Sequence, residues 1–256
     1  MKISTIKNKA VHPLRFVAAI LFWLTSWQLG YIVLDNALLL PSPLSVAERL
    51  FALSFELSFW HNIAVSLGRI LLGYGLGVLT GILLAVLACL VPFVHTLLRP
   101  MMTVIKATPV ASFVILAFVW IESYNLSIFI SFLMVLPMIY AAVYDGVAQV
   151  DPKLLEVAKV YRFSLLKKLK LIYLPAVAPL LITSLTTAIG FAWKSGVAGE
   201  VLAVPVIGIG SRLYRSKSAL EMTDLFCWTL VIIILSILAE QVLLSLSKRW
   251  LKRKER

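Results

Sequence analysis

The chain has 256 residues, of which 61% are hydrophobic and 14% charged, and its formal net charge is +12. Soluble domains carry about 45–50% apolar and about 25% charged residues, so with a mean hydropathy of +0.97 the surrounding solvent must be lipid. The excess of basic residues falls between apolar runs, which points to membrane topology and anionic headgroups as partners and not to nucleic acid.

A bilayer core takes about 20 apolar residues per helix. The first run, about 14–34, has the apolar content of a signal peptide. No Ala-x-Ala site follows it, and it is read as a membrane span. A polar stretch with Pro41 and Pro43 and an amphipathic segment over 44–57 come next. Further spans are expected at about 60–91, 101–121, 125–144, 173–193 and 225–246. The fold expected is an all-α integral membrane protein with about six transmembrane helices in one permease-like domain over 1–256, with no repeat and no soluble domain. Long unbroken apolar runs exclude closed β-barrels.

Lys2, Lys7, Lys9 and Arg15 lie at the N-terminus up to the start of the first span, and Arg99 and Lys106 around the connection into the third. Six more basic residues occupy the loop over 151–170, and another six follow 246. Most of the 24 basic residues therefore share one side, which predicts that both termini and this loop are cytoplasmic.

The loop opens Asp151-Pro152-Lys153-Leu154-Leu155-Glu156-Val157-Ala158-Lys159-Val160-Tyr161. Asp151 suits an N-cap and Pro152 a first helical position. Leu154, Val157, Ala158 and Tyr161 recur at helical spacing. A short amphipathic helix there can rest on headgroups or dock a soluble partner.

Glu156-Val157-Ala158, with Leu174-Pro175 downstream, resembles the Glu-Ala-Ala loop of ABC importer permeases. Leu40-Pro41-Ser42-Pro43, Ser66-Leu67-Gly68-Arg69, Trp193-Lys194, Gly199-Glu200 and Gly208-Ile209-Gly210 are similar to the nitrate/sulfonate/taurine-type branch, in the same order. The resemblance implies a type I importer fold with a coupling helix. It assigns Leu154, Leu155, Glu156, Val157, Ala158, Tyr161 and Arg162 to the contact with an ABC ATPase. It also implies two ATPase subunits, an extracytoplasmic solute-binding protein and a second permease copy, by default an identical one. The chain itself would be no enzyme and would bind no cofactor or metal, ATP and Mg being used by the partner ATPase. The implied location is the bacterial inner membrane, and the implied solute a nitrate-, sulfonate- or taurine-like anion or a vitamin precursor. Arg162 stands where the family usually has Gly, so the turn after the helix must form without glycine's freedom at positive φ.

Ionisable groups at membrane depth are functional candidates. Arg69 is expected near the outer end of the second span, where it can snorkel. Trp193, Lys194 and Glu200 are expected at the outer end of the fifth span. There Trp193 can anchor the interface or line the substrate pathway, Lys194 can attract an anion, and Lys194 and Glu200 can pair across an outer gate. Glu240 is expected near the cytoplasmic end of the sixth span, as a helix-to-helix hydrogen-bond partner or a proton relay. Gly73, Gly77 and Gly81 repeat every four residues and mark a close-packed helix face. Cys89 and Cys227 read as small buried hydrophobes. The alternative reading is a stand-alone ion-coupled secondary transporter, for which only Glu240 speaks. An intramembrane enzyme would need a cluster of Asp, His or Ser, and none is visible. No Gly-x-x-x-x-Gly-Lys-Ser/Thr is present to cradle ATP phosphates.

Overall fold

A computed structural model describes the backbone of residues 13–254, and the side chains of Arg15 and of 17–245. The basic residues Lys2, Lys7 and Lys9, and the side chains of the basic residues after 246, lie outside the described set. In chain order the helices are α1 Pro13–Leu34, α2 Pro43–Ser54, α3 Leu57–Leu90, α4 Pro92–Ala107, α5 Val110–Ala117 and α6 Ser123–Ala148. They are followed by α7 Pro152–Val160, α8 Leu165–Lys168, a π-helical turn Leu169–Tyr173, α9 Leu174–Ala203, α10 Ile209–Ser218 and α11 Met222–Lys254. No strand occurs among the described residues.

Among the described residues, five stretches are long and apolar enough to cross a bilayer: Val17–Leu34, Leu57–Leu90, Ser123–Ala148, Leu165–Ala203 and Met222–Ser245. A sixth crossing exists only if α4 and α5 are counted together, and these meet at an angle of 106°. The continuous span expected over 101–121 is therefore corrected to a broken pair. Pro109 has no N–H to donate and forces Thr108 out of the helical region, to φ −81° and ψ 131°. The fifth span also runs ten residues past its expected end, to Ala203, which moves Lys194 and Glu200 inside α9. It stops where Val204 turns left-handed, at φ 46° and ψ 57°, just before Pro205.

The core is a sandwich of α3, α6 and α9, with α6 in the middle. Gly73, Gly77 and Gly81 make the α3–α6 contact possible. A Cβ on Gly77 would meet Val135 Cβ at 2.8 Å, and one on Gly81 would meet Ile139 Cβ at 3.0 Å. Small residues at four-residue spacing let backbones approach in lipid, where packing replaces the hydrophobic drive. Gly146 plays the same part between α6 and α9, against Val177.

The outer helices attach by a few specific bonds. Ser42 caps α2 by accepting from Ser45 N at 3.1 Å, and Val46 and Leu53 turn its apolar face inward. Arg49 on α2 donates from Nε and Nη2 to the Asp224 carboxylate at 2.6 and 2.9 Å. That carboxylate holds the Arg49 guanidinium above its ordinary pKa. Trp27 Nε1 donates to Pro41 O at 3.0 Å and its ring stacks on Phe226, tying α1 to α11. Cys227 is buried and Cys89 partly so, both as free thiols. Where α4 packs on α6, the His95 ring stacks on Tyr144 with centroids 4.1 Å apart, and its Nδ1 lies 3.0 Å from Tyr140 Oη.

Candidate functional site

Two regions stand out, one an exposed amphipathic helix and the other a buried polar cluster, at opposite ends of α6 and α9. The first is α7. Asp151 caps it by accepting from Lys153 N at 2.9 Å, and Pro152 takes the first helical position, where no N–H is needed. Ala158 is 1% exposed and packs with Val150 and Ile172, with Leu155 and Phe163 against the same cluster. Leu155 and Ala158 therefore fix α7 to the membrane helices. The expected place of Ala158 in a partner contact is corrected, because it is buried on the inward face; Leu155 is half-buried beside it and keeps part of its surface open. Leu154, Glu156, Val157, Tyr161 and Arg162 point away from the protein, and Val160, Leu165 and Leu166 extend the exposed apolar surface.

Arg162 ends the helix in the left-handed conformation, φ 49°. Its N–H donates to Lys159 O at 3.1 Å, and Phe163 N donates to Ala158 O at 2.8 Å, which satisfies the last carbonyls of α7. The arginine thus adopts the geometry for which glycine is the usual residue, at about 1–2 kcal/mol of local strain. Lys167 Nζ lies 4.2 Å from the centroid of the Phe163 ring and steadies the return of the chain.

The second region lies at the far end of the bundle, between α3, α9 and α10. Arg69 Nη1 donates to Glu200 Oε1 at 3.2 Å and to Ile207 O at 2.7 Å. Ser66 Oγ donates to Glu200 Oε2 at 2.7 Å and accepts from Ile209 N at 2.8 Å. Gly210 N donates to Glu200 Oε2 at 3.0 Å, and Gly208 N to Asn62 Oδ1 at 2.9 Å. The Glu200 carboxylate therefore caps the first turn of α10, where backbone N–H groups point and a negative charge is favoured. Glycines allow the approach: a Cβ on Gly208 would meet Glu200 Oε2 at 2.7 Å, and one on Gly210 would meet Val197 O at 2.7 Å.

Glu200 is fully buried and Arg69 is 4% exposed. Arg69 Nε and Nη2 have no hydrogen-bond partner, but the guanidinium lies 3.9 Å from the centroid of the Tyr124 ring, where the π face attracts a cation. The expected snorkelling of Arg69 and the expected Lys194–Glu200 gate are both corrected: Glu200 pairs with Arg69. Neither ion is open to a solute, so this site is a latch and not a binding surface. Trp193 is likewise corrected, from interface or pathway to core. It is 1% exposed and its Nε1 donates to Ile232 O at 3.0 Å, joining α9 to α11. Lys194 is exposed on the flank of α9 and shares a cavity with Glu240.

The helices, five of them long and apolar enough to cross a bilayer among the described residues, make this a multi-pass membrane protein. The model of the binding-protein-dependent transport system inner membrane component matches residues 77–256, and the chain belongs to that family, the permease subunits of ABC transport systems with the type I fold. It is 27% identical to the bicarbonate transport system permease protein CmpB of Synechococcus elongatus over 93% of this chain and 87% of that protein. Identity to the taurine transport system permease protein TauC of Escherichia coli is 26%, over 87% of this chain and 83% of the relative. The putative aliphatic sulfonates transport permease protein SsuC of Bacillus subtilis is 23% identical over 88% and 82%.

Proposed function

We propose that the chain is the translocation subunit of an ATP-driven importer for a small anionic or zwitterionic solute, driven through α7 by a separate ATPase. The observation that carries this reading is the exposed apolar surface of α7 and the turn after it, where Val160 is 78% and Tyr161 71% exposed. A capped helix of nine residues held on its inner face by Ala158 is a rigid knob. Such a knob transmits a push along α6 and α9, the two long helices that flank it. Nucleotide-driven closure of an ATPase pair would shift the equilibrium between two arrangements of the permease without touching the solute.

The same reading puts the basic loop and both termini in the cytoplasm and the latch on the outer side, in a bacterial inner membrane. A soluble solute-binding protein delivers cargo to that outer face, and a second permease copy closes the pathway. Relatives named for bicarbonate, taurine and sulfonates support an acidic small solute. The chain itself carries no hydrolytic role; ATP and Mg belong to the ATPase. Glu156→Lys tests the coupling assignment. It reverses a charge on the exposed side of α7, and uptake should fall while the protein still inserts and folds. Wild-type uptake with wild-type coupled ATP hydrolysis would remove α7 from the contact.

A further inference from the structure

One pair of ions is left over by the latch and by α7. Lys194 on α9 and Glu240 on α11 line one cavity of about 230 Å³ with Thr186, Thr187, Gly190 and Phe191. Neither Lys194 nor Glu240 makes a hydrogen bond or ion pair among the described residues, where the ion pairs are Arg49–Asp224 and Arg69–Glu200. The depth of this cavity is set by Gly190, the seventeenth of the 30 residues of α9. The Glu240 carboxylate rests on Gly190, where a Cβ would collide with Oε1. Glu240 lies five residues before the end of the apolar stretch Met222–Ser245, near the end of its span where it was expected.

Isolated charges in a bilayer are costly, and they persist where they face water, protein or a permeating solute. Lys194 lies on an exposed flank of the helix, beside the cavity that it shares with Glu240. Opposite charges across one small cavity, not joined to each other, suit a ligand with both charges. The hydroxyls of Thr186 and Thr187 donate to Ile182 O and Thr183 O at 2.9 and 3.1 Å, which leaves their oxygen lone pairs free to accept from an ammonium beside Glu240. The absence of a side chain at Gly190 gives the Glu240 carboxylate its place against α9. Drug-sized sites measure about 300–1,000 Å³, and this one fits a smaller solute.

Resting on the import reading above, we infer that Lys194 and Glu240 form a site between α9 and α11 for a small zwitterion, with the acid group on Lys194 and the ammonium on Glu240. The site lies in the permease itself and selects among solutes after delivery.

The test compares taurine with propane-1-sulfonate, which keeps the sulfonate and replaces the ammonium by a methyl group. Equilibrium binding of each is measured to the permease–ATPase complex in nanodiscs without the solute-binding protein. Wild type should bind taurine about tenfold or more tightly than propane-1-sulfonate, the range expected for one charge-assisted hydrogen bond. E240Q should erase that preference and leave propane-1-sulfonate binding intact, K194M should weaken both, and K194R and E240D should retain the preference. Equal binding of the two compounds, or no binding of either, overturns the site. The wild-type comparison stands even if a variant fails to fold. ATP hydrolysis by the same preparation separates the two ideas: an active complex without a taurine preference refutes this site alone, whereas a permease that retains no ATPase refutes the import reading beneath it.

Discussion

Arg69 and Glu200, 131 positions apart in the chain, meet at 3.2 Å inside the membrane domain and fasten α3 to both α9 and α10. The carboxylate is shared by a guanidinium, a serine hydroxyl and a backbone N–H, so each charge is compensated although neither reaches solvent. Removing one member of such a pair strands the other, at about 3–5 kcal/mol. R69M and E200A should each lower the unfolding midpoint in detergent markedly. The double variant should be no less stable than the worse single one. Additive losses in thermal melts would mean that the two residues do not act as a pair.

The glycines of α3 should respond in opposite ways. At Gly77 an added methyl group meets Val135 Cβ at 2.8 Å and Phe132 O at 2.9 Å, so Gly77→Ala should separate α3 from α6 and cost about 1–3 kcal/mol. Gly75 has nothing within 4 Å, and Gly75→Ala should stabilise the helix by up to about 1 kcal/mol. Denaturation midpoints of the two variants, compared with wild type, check the sign of each.

Replacing Arg162 by glycine should relieve the left-handed strain at φ 49° and stabilise the end of α7 by about 1 kcal/mol. Amide hydrogen exchange at Arg162 and Phe163 should slow, because their N–H groups close the helix. Faster exchange would show that the arginine side chain contributes more than its backbone strain costs. Conversely, Asp151→Ala removes the cap and should speed exchange at Lys153, with a loss of about 1 kcal/mol.

Trp193→Phe should remove one buried hydrogen bond to Ile232 O and part of the ring that fills the α9–α11 contact. A loss of about 1–2 kcal/mol in unfolding free energy, with no change in solute selectivity, is the expected result. A changed selectivity would return Trp193 to the pathway.

Local pattern carried much of this structure into the sequence. The four-residue repeat of Gly73, Gly77 and Gly81 fixes a helix face whatever lies opposite, and Asp151-Pro152 announces the start of α7 through its own backbone chemistry. What was not legible depended on partners distant in the chain. Lys194 and Glu200 are close in sequence and opposite in charge, which invites pairing. Six residues at 3.6 per turn, however, place them on different sides of one helix. Nothing in either local segment points from Glu200 to Arg69, and only the packing of α3 on α9 brings them together. A proline such as Pro109 is compatible with a mild kink or with the 106° break observed, so the residue alone does not choose between them. Helical spacing likewise placed Ala158 and Val157 on the same small helix without telling which would face inward.

The claim at the centre of this account is that α7 is the contact through which a separate ATPase drives the permease. Co-purification tests it most directly: the tagged chain is co-expressed with its cognate ATPase, extracted in mild detergent and compared with V157D, which places a charge on the exposed side of α7. The account predicts a stoichiometric ATPase on the wild-type chain and its loss from a variant that elutes and melts as wild type does. An ATPase retained equally by both, or absent from a well-folded wild-type chain, would contradict it.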